Sequence, residues 1–174
     1  NASTRVWSEM IGDNDIELAR WLCAMLGKVG DAVIFGAINW PHLLPHKGRW
    51  ICWDKRTRPE ADKIFGSPFE LAWMSRKTGF DKMIRIMHGG VVNADGGKRV
   101  HPTQKPIGLF MRIMSEVFPD AKTIIDPFMG SGSVLLAAKR DGRQAIGIEI
   151  EERYCEVAAE RLRQSGFDLA IHRF

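Results

Sequence analysis

Thr123-Ile124-Ile125-Asp126-Pro127-Phe128-Met129-Gly130-Ser131-Gly132-Ser133 is an apolar run that ends in an acid and passes into a glycine turn. Pro127 and the two glycines cannot continue a strand, and Gly130 and Gly132 let the backbone turn sharply and approach a ligand closely. A helix is predicted from near Ser131 to about Asp141, closed by Gly142. Its free N–H groups would point at whatever sits above the turn. A second apolar strand, Gln144-Ala145-Ile146-Gly147-Ile148-Glu149, then ends in a carboxylate. Strand, glycine turn, helix, strand and acid make the nucleotide-binding half of a doubly wound sheet, with the acid placed for ribose hydroxyls.

Upstream stands His101-Pro102-Thr103-Gln104-Lys105-Pro106, and Pro106 opens a helix through Leu109, Phe110, Ile113 and Met114 that stops at Pro119. The turn itself lacks the G-x-G-x-x-G of a generic dinucleotide fold. Asp126-Pro127-Phe128-Met129-Gly130-Ser131-Gly132 instead resembles the cofactor loop of the amino-methylating DNA methyltransferases, the N6-adenine and N4-cytosine group. The hexapeptide at 101–106, the loop and Gly147-Ile148-Glu149-Ile150 follow one another as in that family's permuted order, with the cofactor motifs C-terminal.

The resemblance implies an α/β fold, a Rossmann-like class I methyltransferase sheet with helices on both faces. It implies S-adenosylmethionine as cofactor and DNA as partner, with no metal. Asp126, Pro127, Phe128, Gly130, Ser131 and Gly132 would surround the methionine part of the cofactor, and Phe128 would pack on it. Glu149 would take both ribose hydroxyls, since a carboxylate offers two acceptor oxygens. His101, Thr103, Lys105 and the helix begun by Pro106 would hold the cofactor's carboxylate, because a lysine and a helix N-terminus both favour an anion.

Composition bounds the rest. A chain of 174 residues with 45% hydrophobic residues can bury one core, so one domain is expected over 1–174. Within it, 1–74 would belong to the target-base half, 75–100 to a basic DNA-contacting region and 101–174 to the cofactor half. No apolar run approaches the roughly 18 residues of a membrane span and no signal-peptide pattern appears, so a cytoplasmic protein is expected. Cys23, Cys52 and Cys155 form no CxxC, which suits buried thiols and argues against structural zinc. Net charge is +4, yet Lys47 to Lys105 carries 13 Lys/Arg against 6 Asp/Glu. A basic middle on a near-neutral body is what a phosphate-binding face requires. Lys55, Arg56, Arg58, Arg76, Lys77, Lys98 and Arg99 are the candidate DNA contacts.

In chain order, Asn14 and Glu17 read as a capping box for a helix over 15–28 that Gly27 and Gly30 end. Asp31 to Gly36 reads as a strand buried on both faces in the manner of a parallel sheet. Arg49 to Lys55 and Phe69 to Met74 are further strands, and Ser75 to Val100 is a basic, Gly-rich loop region, too long for an ordinary connection and of little periodicity after Met87. Trp53-Asp54-Lys55 resembles a family feature near the target-base pocket; core filling is the equal alternative for its tryptophan. A last amphipathic helix runs from about Glu151 to Gln164 with Gly166 past its end, and a short closing strand follows within 167–174.

The family's catalytic tetrapeptide, Asp, Asn or Ser followed by Pro-Pro and an aromatic, occurs nowhere in the chain. Asn39-Trp40-Pro41 has a single proline and its aromatic on the wrong side, so no catalytic residue is assigned. In the family the strand carrying that motif lies between the one ending at Asp126 and the one ending at Gly36. The expectation is an incomplete sheet, completed by a longer protein, by another chain or by a second copy in a homodimer. Three functions stay open: methylation of adenine N6, methylation of cytosine N4, and a cofactor- and DNA-binding module without chemistry.

Overall fold

The computed structural model describes residues 16–26, 28–56, 63, 66–76, 79–88, 100–101 and 103–171, with side chains as far as Ser165. The chain divides into two compact units, 1–54 with 67–84, and 55–66 with 85–174. The fold class is α/β, as expected, and the described strands form two separate sheets.

The first unit holds α1 (Ile16–Met25), which buries Ala19 and meets the 3-10 turn at Pro41–Leu43. Asn14 of the expected capping box and Gly27 lie outside the described residues. Strand β1 (Val33–Phe35), β2 (Arg49–Asp54), β3 (Phe69–Met74) and β4 (Lys82–Arg85) lie in the order β1-β3-β2-β4. Val33 and Arg49 face Met74 from opposite sides of β3, and both pairings are antiparallel. The expectation of a parallel, doubly buried strand at 31–36 is thus corrected, since all three residues of β1 are only half-buried. Three apolar residues carry no record of strand direction; the choice of hydrogen-bonding partner sets it. Trp53 is 1% exposed and serves as core.

Strand β4 corrects a second reading, because 82–85 was expected to be connecting loop. Ile84 is fully buried between exposed Met83 and Arg85, with Lys82 beyond. Charged residues are what an edge strand carries against unwanted pairing, and they mask its one core position from a reading by composition.

The second unit is built from α2 (Ile107–Glu116), β5 (Thr123–Asp126), α3 (Ser133–Arg140), β6 (Gln144–Gly147) and α4 (Glu152–Ile171). β5 and β6 are parallel, with Thr123 beside Gln144 and Asp126 beside Gly147. Ile107 and Met114 of α2 close with Leu136, Ala137 and Ala138 of α3 into a core on which Ile124 and Ala145 pack. The alternate strand residues Ile125 and Ile146, with Ile148, are 58%, 53% and 56% exposed, so α3 covers one sheet face and leaves these on the other. Helix α4 continues through Gly166 to Ile171, which corrects the expected stop and the closing strand over 167–171. A glycine inside a helix costs about 1 kcal/mol, too little to end one when nothing after it breaks the pattern.

Arg143 fastens the far end of α2. Its Nη1 donates to the carbonyls of Phe118 (2.6 Å) and Ala121 (2.7 Å), and Nη2 to that of Met114 (3.2 Å). Its Nε is held by Asp141 Oδ2 at 2.6 Å. The guanidinium therefore serves the Met114 and Ala121 carbonyls and gives that of Phe118 a second donor beside the Ala121 N–H.

Candidate functional site

All the residues that gather at the C-terminal ends of β5 and β6 belong to the second unit. Asp126 Oδ1 accepts the Phe128 N–H at 3.1 Å, which folds the chain directly after the strand. Met129 N–H then donates to the Ile148 carbonyl (3.0 Å), Ile148 N–H to that of Asp126 (2.9 Å), and Gly132 N–H to that of Met129 (2.8 Å). The loop is thus stitched to the end of β6 before α3 begins at Ser133, two residues later than the sequence predicts.

Gly130 and Gly132 have φ of +49° and +76°, the left-handed region that other L residues seldom adopt. A Cβ on Gly130 would lie 3.0 Å from His101 Nε2, and one on Gly132 would lie 2.8 Å from Ala158 Cβ. Gly132→Ala should therefore lower stability by about 1–3 kcal/mol, through backbone strain together with overpacking. Adding Ala158→Gly removes the contact but not the strain, so against the Ala158→Gly single variant the alanine should cost less. Thermal unfolding of the four proteins checks this; an unchanged cost would place the whole effect in φ.

Glu149 is held at both oxygens: Oε2 accepts the Gly130 N–H and Oε1 the Glu151 N–H, each at 2.9 Å. Each oxygen keeps a further acceptor position, so two remain for a ligand. His101 is buried, and its Nδ1 accepts the Thr103 N–H at 3.3 Å while its ring meets Tyr154 edge-on at 4.3 Å. Gln104, also buried, closes the hexapeptide by accepting the Val100 N–H at 3.1 Å. Pro106 is the N-cap residue of α2. Phe128, by contrast, is 51% exposed on the loop's rim.

Burial pushes the Asp126 carboxyl up from its ordinary 3.8; the Phe128 N–H and Lys105 pull it down, and Glu149 adds an upward push. Between 3.8 and the raised folded value, the native state keeps a proton that the unfolded chain has released. Stability should therefore fall as pH rises through that window. Asp126→Asn can still accept the Phe128 N–H and carries no charge, so its thermal midpoint should lose this downward slope. Midpoints measured across the window decide it; parallel curves would show that Asp126 is not penalised by burial.

The structure brings together Asp126, Phe128, Gly130, Ser131, Gly132 and Glu149, and places Lys105 within electrostatic reach of Asp126. Sequence reasoning missed Arg161, whose Nη1 donates to the Ser131 carbonyl (2.5 Å) and Oγ (2.9 Å) and to Ser133 Oγ (3.4 Å). The available signal was its spacing: Tyr154, Ala158 and Arg161 recur at four and three residues on one helix face. Among the candidate DNA contacts, Lys55 is half-buried, and Arg76 lies 3.8 Å from Asp31. Arg56 is buried and donates to the Gly66 carbonyl at 2.7 Å. Arg58, Lys77, Lys98 and Arg99 lie outside the described residues. Among the described residues no group of His, Cys, Asp and Glu is arranged to hold a metal, and no helix is long and apolar enough to cross a membrane. Cys23, Cys52 and Cys155 are half-buried rather than buried, and none is in a disulfide.

A glycine loop between parallel strands, followed by a carboxylate at the next strand end, defines a nucleotide-type cofactor fold of the Rossmann class. Residues 48–160 match the model of the N6_N4_Mtase family, described as DNA methylase, and the chain belongs to that family. It is 38% identical over 73 residues to the Type II methyltransferase M.HinfI of Haemophilus influenzae, covering 42% of this chain and 20% of that protein. It is 40% identical over 65 residues to the Type II methyltransferase M.ScaI of Streptomyces caespitosus, covering 37% and 21%. The matched stretches thus span about a fifth of the length of these two relatives. Among solved structures, the fold is similar to that of M1.HpyAVI in its SAM complex, with TM-score 0.60, 23% identity, and coverage of 86% of this chain and 84% of that one.

Proposed function

We propose that the second unit binds S-adenosylmethionine and that the chain works in methylating an exocyclic amine of a DNA base, adenine N6 first. The observation that supports this best is Glu149, fixed at both oxygens by the Gly130 and Glu151 N–H groups yet with two acceptor positions left. A ribose diol has two hydroxyls to offer there. Exposed Phe128 supplies an apolar surface beside the loop, and Lys105 with the N-terminus of α2 suits a carboxylate. Bound, the cofactor supplies an electrophilic methyl on a sulfonium sulfur. The chain's own residues bind and orient: Glu149 accepts from the ribose, Asp126 to Gly132 enclose the methionine part, and His101, Thr103, Lys105 and Pro106 form the wall beyond.

The reading treats the two units as parts of one methyltransferase domain, with 1–74 on the target-base side. DNA phosphates would meet the basic middle, Lys55, Arg58, Arg76, Lys77, Lys98 and Arg99, while Arg56 has a structural partner in Gly66. The base must be swung out of the duplex for its amine to be reached. No residue here is assigned to accept the amino protons, so that tetrapeptide is proposed to come from further sequence, a partner chain or a second copy. A cytoplasmic setting follows from the same reading.

Calorimetry with S-adenosylmethionine, with NAD as control, tests the cofactor. Transfer of labelled methyl to mixed-sequence DNA, followed by nucleoside analysis, tests the reaction. Label in N4-methylcytosine would move the target to cytosine. Cofactor binding without label would identify a binding module that needs its catalytic segment supplied.

A further inference from the structure

We infer that α4 is the element that holds the 130–133 loop in its ligand-ready shape, with Arg161 as the positioning residue. The inference rests on the cofactor reading above and deepens it.

The loop has little means of holding itself. Two left-handed glycines within three residues leave the backbone free to adopt many conformations, so its shape must be imposed from outside. One face of α4 imposes it at three points. Tyr154 backs the His101 ring, which lies against Gly130. Ala158 sits directly beneath Gly132, where the absence of a Cβ is what admits it. Arg161 grips the carbonyl between those two glycines, that of Ser131, and both flanking serine hydroxyls.

The carbonyl is the informative contact. In a trans peptide the carbonyl and the following N–H point opposite ways. Drawing the Ser131 carbonyl toward α4 therefore turns the Gly132 N–H the other way, where it closes on the Met129 carbonyl. Met129 in turn precedes Gly130, whose N–H is thereby aimed at Glu149. Arg161 thus sets two successive peptide groups of the loop that would enclose the methionine part, without touching the ligand, while Glu149 stays anchored by the Glu151 N–H.

A helix-stabilising role does not explain its position. Arg161 lies at the N-terminal end of α3, where the helix dipole disfavours a cation. A guanidinium placed there works against the helix and for the loop.

The test is calorimetry on Arg161→Met with two probes, S-adenosylmethionine and adenosine, the latter lacking the methionine part that the loop encloses. Affinity for S-adenosylmethionine should fall about 10–100-fold, the worth of a charge-assisted hydrogen bond. Adenosine should change far less, because Glu149 keeps its bond from Glu151. Arg161→Lys should regain part of the loss, having one donor head for the carbonyl but no fork for the hydroxyls. Should circular dichroism show Arg161→Met unfolded, Ala158→Ser presses the loop from the same helix and should give the same selective loss. Wild-type affinity in either folded variant, or equal losses for both probes, would overturn the inference. Failure of the unsubstituted chain to bind S-adenosylmethionine would sink the cofactor reading and the inference with it.

Discussion

Glu149→Ala is expected to weaken S-adenosylmethionine binding at least about 100-fold, since two hydrogen bonds to a charged group are worth about 1.5–3 kcal/mol each. The loss has two parts. Both ligand acceptors go, and the Gly130 N–H loses the carboxylate that holds it, so the loop relaxes as well. Glu149→Gln separates charge from shape. An amide has one acceptor oxygen, while Gly130 and Glu151 both present N–H groups to this side chain. Whichever way the amide turns, its NH2 faces one of those donors, so glutamine should also bind poorly despite its matching length. Calorimetry at one pH on both variants reads the result. Wild-type affinity in Glu149→Gln would mean that neither the charge nor the second acceptor is used.

The largest effect on stability should come from Arg143→Ala. Its side chain is 11% exposed and serves the carbonyls of Met114, Phe118 and Ala121 while bonded to Asp141. Removal takes the charged donor from those part-buried carbonyls, of which Phe118 keeps the Ala121 N–H, at a cost of about 3 kcal/mol, or roughly 10 °C in the midpoint of a chain this size. Arg143→Lys should recover little, because one ammonium cannot reach carbonyls spread around a planar fork. Chemical and thermal denaturation followed by circular dichroism measure both. A midpoint within a degree or two of the unsubstituted protein would show that water serves those carbonyls equally well.

What was legible in the sequence was what local chemistry encodes. Asp126 to Ser133 and the strand before Glu149 announced themselves because Pro127, Gly130 and Gly132 allow few alternatives, and β5, α3 and β6 stand within two residues of where that reading puts them. Phe69–Met74 was found to the residue. What was not legible depends on partners distant in the chain. The direction of β1 is decided by β3, and β4 shows one core residue among charges. Gly166 looked like a stop because punctuation residues are judged locally, whereas helix continuation is cooperative. Around the loop, Glu149 stands out by its place after a strand. Arg161 does not, since an arginine on an amphipathic helix reads as surface until the loop it grips is in view.

The two registers also set a timetable. Thr123 finds Gln144, and Asp126 finds Gly147, across a short span bridged by one helix. Val33 must find Met74 across about twice that span. Each doubling of a closed loop costs only about 0.6 kcal/mol, so the difference lies in rate more than in final stability. On a ribosome the antiparallel sheet emerges first yet must wait for β3, which lies between β1 and β2, before either has anything to pair with. The parallel pair, synthesised later, has its bridging helix between its own strands and the core-forming α2 already made.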